Sequence, residues 1–320
     1  MKRDIGIDII KFFAALLITN SHMNNYYPDS ISFLATGGAI GDALFFFCSG
    51  FTLFLKPMGR FDNWYKKRIN RIYPTVICWI LFSVIFLGES MTISSALKWS
   101  GGWFVKCIMI YYVVIFFINK FAINHLKSAF IITLLFIWIC FFIWNLPSGI
   151  SIYGDSYFTW VQYFIYMLLG AIIGTKTIKI LSGRKALLLL IVAIFSYYGI
   201  VLMSQRISIV NEIQITSMIP LLGIVYSMYS LCNCEKAKKI YNKTFPQWNV
   251  MFIGGMCLEI YIVQGYLLPR INFDIIFPLN FITALFIIFI SAYILKCFTR
   301  FISQTLSDKQ YNWREIIKTI

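Results

Sequence analysis

Charge is scarce in this chain, at 13% of its 320 residues, and acidic charge scarcer still, with 13 Asp and Glu against 28 Lys and Arg. Soluble domains carry about 25% charge and about 45 to 50% apolar residues, so a hydrophobic share of 59% excludes an ordinary water-soluble fold. Long polar stretches are lacking too, and no appended soluble domain is expected. The net charge of +15 could suggest nucleic acid, but the basic residues lie scattered in short loops between apolar runs, a pattern set by membrane topology. The eight cysteines show neither paired metal spacing nor a secreted disulfide pattern, Cys232 and Cys234 being the only close pair. They read as small apolar residues, and no metal is expected. Histidine is nearly absent, His22 and His125 being the two. Met1 to Arg3 followed by Phe12 to Ile18 imitates a signal peptide, but Asp8 and Lys11 interrupt it and no small-x-small cleavage site follows.

What is abundant is apolar sequence in lengths that suit a bilayer. Ten segments stand out: Ile5 to Asn24, Gly37 to Leu55, Tyr73 to Phe86, Gly102 to Ile118, Ser128 to Trp144, Tyr157 to Gly174, Ala186 to Met203, Ile215 to Leu231, Val250 to Pro269, and Phe277 to Phe298. The fold class expected is an all-α, polytopic helical bundle of about ten transmembrane helices. Loop charge alternates. One side holds Lys2, Arg3, Lys56, Arg60, Lys66, Lys67, Arg68, Arg71, Lys120, Lys127, Lys176, Lys179, Arg184, Lys185, Lys236, Lys238, Lys239 and Lys243, and the other little beyond Lys98, Arg206 and Arg270. The positive-inside rule then places both termini in the cytoplasm, which an even number of spans requires. Residues 1–302 form the expected membrane domain and 303–320 a short cytoplasmic tail.

Ionisable groups at bilayer depth are costly and are tolerated mainly where they line a site. The first segment holds three: Asp8, Lys11 and His22. On a helix, Lys11 and His22 fall within about 20° of one face and roughly 16 Å apart along the axis, and Asp8 within about 40° of that face. Lys11 faces the cytoplasmic end and His22 the outer one. Asp42, near the start of the second span, is expected at the depth of His22, where a carboxylate would fix the tautomer of the imidazole and raise its basicity. Asp42 bonding backbone donors at its own helix start explains the residue equally well. Ser49 and Gly50 near the inner end of that span suit close helix packing. In the loop Trp64 to Pro74, Arg68 and Arg71 are three apart at the entrance of the third span and would project together, able to grip phosphate oxygens. His125, in a loop with Lys120 and Lys127, reads as a surface residue.

Asp8-Ile9-Ile10-Lys11 followed by His22, Phe45-Phe46-Phe47-Cys48-Ser49-Gly50-Phe51, and Arg68-Ile69-Asn70-Arg71-Ile72-Tyr73-Pro74 resemble, in order and spacing, the acyltransferase-3 family of bacterial integral membrane acyltransferases. Trp99 to Tyr112, which includes Trp103, resembles the family's fourth span. Cys257 to Gln264 resembles a late segment often written Ser-x-x-Ile-Tyr-Leu-x-His. Two positions depart from the pattern: Lys11 stands where Arg is usual, and Gln264 where His is.

The resemblance implies an O-acyltransferase of the bacterial inner membrane. It would move an acetyl or other short acyl group from cytoplasmic acetyl-CoA, an acyl-CoA donor, to a hydroxyl of a surface glycan or its lipid-linked precursor. His22, Asp42, Lys11 and Asp8 are the implied catalytic residues. Arg68, Arg71, Ser49 and Lys11 would hold the donor, and Glu259, Tyr261, Gln264 and Trp103 the acceptor. His22, which must be neutral, would deprotonate the acceptor or carry the acyl group, while Lys11 would pair with Asp8 or meet the thioester oxyanion. Two other readings of the same residues are a proton-coupled transporter or flippase, with Asp8, Lys11 and His22 as the relay, and a non-catalytic scaffold for glycan assembly. Against transport stand the missing internal repeat and the arginine pair.

Overall fold

The computed structural model describes residues 4–55, 57–90, 92–144, 152–153, 158–175, 179–271, 276–307 and 310–319. Lys2, Arg3, Lys56, Lys176 and most of the loop 144–157 lie outside them. Among the described residues every regular element is helical. In chain order these are α1 (Ile5–Ser21), α2 (Gly38–Leu53), α3 (Phe61–Phe86), α4 (Ile93–Trp99), α5 (Gly102–Ala122), α6 (Leu126–Trp144), α7 (Thr159–Gln162) and α8 (Phe164–Gly174). They continue with α9 (Gly183–Ser204), α10 (Ser208–Glu212), α11 (Met218–Cys232), α12 (Glu235–Tyr241), α13 (Thr244–Gly254), α14 (Cys257–Leu267), α15 (Leu279–Thr305) and α16 (Trp313–Ile316).

Each of the ten apolar segments has a helix, but not each helix has a full span's length. Among the described residues six helical stretches are long and apolar enough to cross a membrane, or seven if α13 and α14 count as one span bent by 65°. One of the six is the 42-residue stretch 102–143, broken by a 3-10 turn at Ile123–His125. Its contour of about 63 Å is twice a hydrocarbon core of roughly 30 Å. The segments that miss the criterion are α1, at 17 residues, and the α7–α8 pair, interrupted at Tyr163. The third segment corrects the sequence reading in the other direction. Trp64 to Pro74 is no loop, because α3 starts at Phe61 and runs through Pro74, whose missing N–H leaves the helix intact. Arg68 and Arg71 therefore sit inside a helix, whose polar first half hid it from an apolar window.

The chain divides into two compact units. The first comprises Met1–Ala14, Ala39–Met58 and Val113–Pro246. Here α2 and α8 touch backbone to backbone: a Cβ on Gly50 would lie 1.8 Å from the Met167 carbonyl oxygen, and one on Gly170 would lie 2.0 Å from that of Phe47. Small residues allow such an approach where lipid offers no hydrophobic drive between helices. Phe47 and Phe51 each set their rings 5.4 Å from Tyr229. A buried polar knot surrounds Ile152: its N–H donates to Gln214 Oε1 at 3.0 Å, its carbonyl accepts from Gln162 Nε2 at 2.6 Å, and Tyr153 bonds Ser217 at 2.9 Å. Such pairing satisfies backbone polar groups where the chain leaves helical structure.

The second unit comprises Ala15–Gly38, Gly59–Tyr112 and Gln247–Ile320. Its core is the mutual packing of α3, α14 and α15, with Trp79 against Tyr266 at 5.5 Å and Phe82 against Phe298 at 6.1 Å. The long helix α15 runs to Thr305, three residues beyond the expected end of the membrane domain. The tail then folds back on it. Gln304 bonds Asn312, Tyr293 Oη donates to the Ile317 carbonyl, Arg300 donates to those of Ile316 and Lys318, and Ile316 is buried.

Candidate functional site

In the second unit the sequence-predicted residues fall along α3, α14 and the end of α1. Arg68 is half-buried on α3, its guanidinium 5.1 Å from the centre of the Trp64 ring, and that ring stands edge-on to Tyr112. Among the described residues Arg68 Nε is buried without a hydrogen-bond partner, while Arg71 is exposed. A cation stacked on an aromatic face keeps its fork of N–H groups available for an oxyanion.

One turn beyond Arg71, the buried Thr75 hydroxyl meets the carboxylate of Glu259, which is only 9% exposed. Lys296 and Arg300, one turn apart on α15, supply nearby positive charge. Lys296 Nζ also donates to the Gly255 carbonyl at 3.0 Å, at the break between α13 and α14. An ammonium at that point satisfies a carbonyl that has lost its helical partner and faces the negative end of α13. Thr75, Lys296 and Arg300 were not singled out in the sequence. Lys296, a lone charge inside the apolar span Phe277 to Phe298, was the available signal.

Tyr261 reaches across to α5. Its hydroxyl lies 2.8 Å from where a Cβ on Gly102 would sit, and Gly102 has φ of +79°, so the first residue of α5 is confined to glycine on two counts. Phe104 packs on Tyr261 at 5.4 Å and Trp103, half-buried, stands edge-on to Phe104.

Gln264, expected to bind acceptor, is 1% exposed, and its Oε1 accepts from the Thr19 hydroxyl at 2.7 Å. Thr19 is fully buried, and its carbonyl accepts from the backbone N–H of His22 at 3.1 Å. His22 thus sits in the turn that closes α1, one residue past the helix, and it is exposed. A second set of bonds grips the same end. Asn20 Nδ2 donates to the carbonyls of Leu34 and Thr36 at 2.7 and 2.9 Å, and Tyr27 Oη donates to Asn20 Oδ1 at 2.7 Å. Tyr26 Oη bonds the Leu268 and Ile271 carbonyls, and Asn280 holds the Tyr26 carbonyl. Burial pushes the Tyr26 phenol up, which keeps it a donor.

In the first unit Asp8 is buried and Lys11 half-buried on α1. Asp4, missed in the sequence, accepts from the Ile7 N–H at 3.2 Å and from Tyr229 Oη at 3.3 Å, the bond of a helix cap. Ser49 is half-buried on α2, and its neighbour Gly50 makes the α8 contact described above. Asp42, also half-buried, has the phenols of Tyr163 and Tyr197 near it. The expected Asp42 and His22 partnership has its two members in different units.

The all-helical, apolar architecture agrees with a comparison of the whole chain. Residues 4–300 match the acyltransferase-3 family model, described as an acyltransferase domain, and the chain belongs to that family. No curated protein and no solved structure matches it.

Proposed function

We propose that this membrane acyltransferase moves an acetyl or other short acyl group from cytoplasmic acetyl-CoA to a hydroxyl of a cell-surface glycan or its lipid-linked precursor, in the bacterial inner membrane. The observation that carries the reading is a polar line within the second unit: Arg68 and Arg71, then Thr75 with Glu259, then Gln264 with Thr19, then His22. At 1.5 Å per residue the helical steps from Arg71 to His22 amount to about 18 Å of depth, a large part of a bilayer core. Ten spans with both termini inside, with the stretch 102–143 turning at Ile123–His125, put the arginines at the cytoplasmic face and His22 at the outer one.

In this scheme Arg68 and Arg71 hold the donor's phosphates and the thioester arm extends toward His22. The imidazole takes the acceptor hydroxyl's proton as its oxygen bonds the acyl carbon. The C–S bond then breaks and the proton passes to the departing thiolate. Glu259, Tyr261 and Trp103 are the candidates for acceptor contacts. Asp8, Lys11 and Asp42, expected as catalytic, and Ser49, expected with Lys11 to hold the donor, lie in the first unit and take no step in this scheme.

The test is acetylation of surface polymer, read by mass spectrometry, in cells carrying His22→Ala at normal membrane abundance. Loss of the acetyl mass supports the scheme, and unchanged acetylation rejects it.

A further inference from the structure

A buried bond between two helices lies beside the turn that carries His22. Thr19 and Gln264 are 0% and 1% exposed, their side chains meet at 2.7 Å, and 245 positions separate them in the chain. Thr19 spends its hydroxyl on Gln264 and its carbonyl on the backbone N–H of His22, so one residue couples α14 to the turn that carries the ring. A threonine in a helix ordinarily turns its hydroxyl to the carbonyl one turn back. Here it faces outward from its own helix to a side chain that has no charge to offer. The bond is too deep to serve as a surface clasp and lies one turn short of the exposed His22.

We infer that Thr19 and Gln264 act as a single positioning unit for His22, fixing the last turn of α1 so that the ring stands at one orientation toward the acyl carbon. This rests on the catalytic role proposed for His22. The bond makes Gln264 a positioning residue that touches neither donor nor acceptor. Misplacing a reacting group by about 1 Å costs up to about a hundredfold in rate without weakening binding in proportion.

With two histidines in the chain, the exposed His125 can be removed by His125→Gln, which leaves the His22 ring as the sole imidazole in the full-length protein. In nanodiscs with labelled histidine, that ring should give one resonance set. Thr19→Val and Gln264→Leu should each shift or split it, and Thr19→Ser should restore it. In the cell assay both variants should lower acetylation about tenfold at equal abundance. The double variant should be no worse than either single one, because a pair acting as one unit is lost once. An unmoved ring signal, losses that add, or a fall explained by abundance alone would overturn the inference. If His22→Ala keeps its activity while the ring signal still moves, the proposed function fails and the coupling stands. If His22→Ala is inactive and Thr19→Val is normal, only the coupling fails.

Discussion

The two units are made of the same apolar material and differ in how their most closely paired polar residues are used. In the first, amides and hydroxyls close on one another around Ile152 and Tyr153, and the glycines of α2 and α8 bring backbones into contact. In the second, charged groups gather at a broken helix, around Glu259, Lys296 and Arg300, and a histidine is left exposed at a helix end. Neutral polar groups that satisfy each other give a rigid scaffold at small electrostatic cost. Charges cost more to bury, and the first unit keeps its own, Asp8, Lys11 and Asp42, spread over two helices, while the second gathers Glu259, Lys296 and Arg300 around one break.

Substitutions can break this contrast in order of expected effect. The largest is His22→Ala, which removes a general base and should lower transfer by about 10²- to 10⁴-fold with the protein still folded. Next, Arg68→Ala together with Arg71→Ala should weaken acetyl-CoA binding by about tenfold or more, since hydrogen bonds to charged groups contribute about 1.5 to 3 kcal/mol each. Titration calorimetry with acetyl-CoA checks this, and equal affinity would remove the phosphate grip. In the first unit Gly50→Ala should act on stability, because its Cβ overlaps the Met167 carbonyl. A cost of about 1 to 3 kcal/mol is typical of overpacking, and a lower thermal midpoint with acetyl-CoA affinity unchanged is the expected pattern. The smallest of the four is Gly102→Ala, where a left-handed φ of +79° and the Tyr261 hydroxyl oppose a side chain. A loss of about 1 kcal/mol is expected in a thermal scan, reduced when Tyr261→Phe is added. A large activity loss from Gly50→Ala, or none from His22→Ala, would erase the contrast between scaffold and site.

Much of the fold was legible because lipid makes simple demands: a long apolar run with no strand alternation folds as helix, and among the described residues each such run has one. What escaped was any helix whose polarity varies along its length. The first half of α3 is rich in charge and so passed for a loop, although its Arg68 and Arg71 were picked out by their spacing. The bend at Gly255 was missed because Val250 to Pro269 was read as one apolar run, although the Gly254-Gly255 pair marks the break. His22 was legible as an ionisable residue out of place. Its support was not, since Thr19 and Gln264 are ordinary residues whose partnership spans nearly the whole chain. Lys296 lay inside the expected span Phe277 to Phe298 and went unremarked, because its partner, the Gly255 carbonyl, is a backbone group 41 positions away.

The lysine clamp on Gly255 has a mechanical consequence. A 65° elbow in oil would ordinarily straighten or recruit water, since its dangling carbonyl seeks a donor. With an ammonium from a neighbouring helix filling that need, the joint behaves as a welded bracket. Motion around Glu259 is then left to side chains, while the angle between the half-helices stays put.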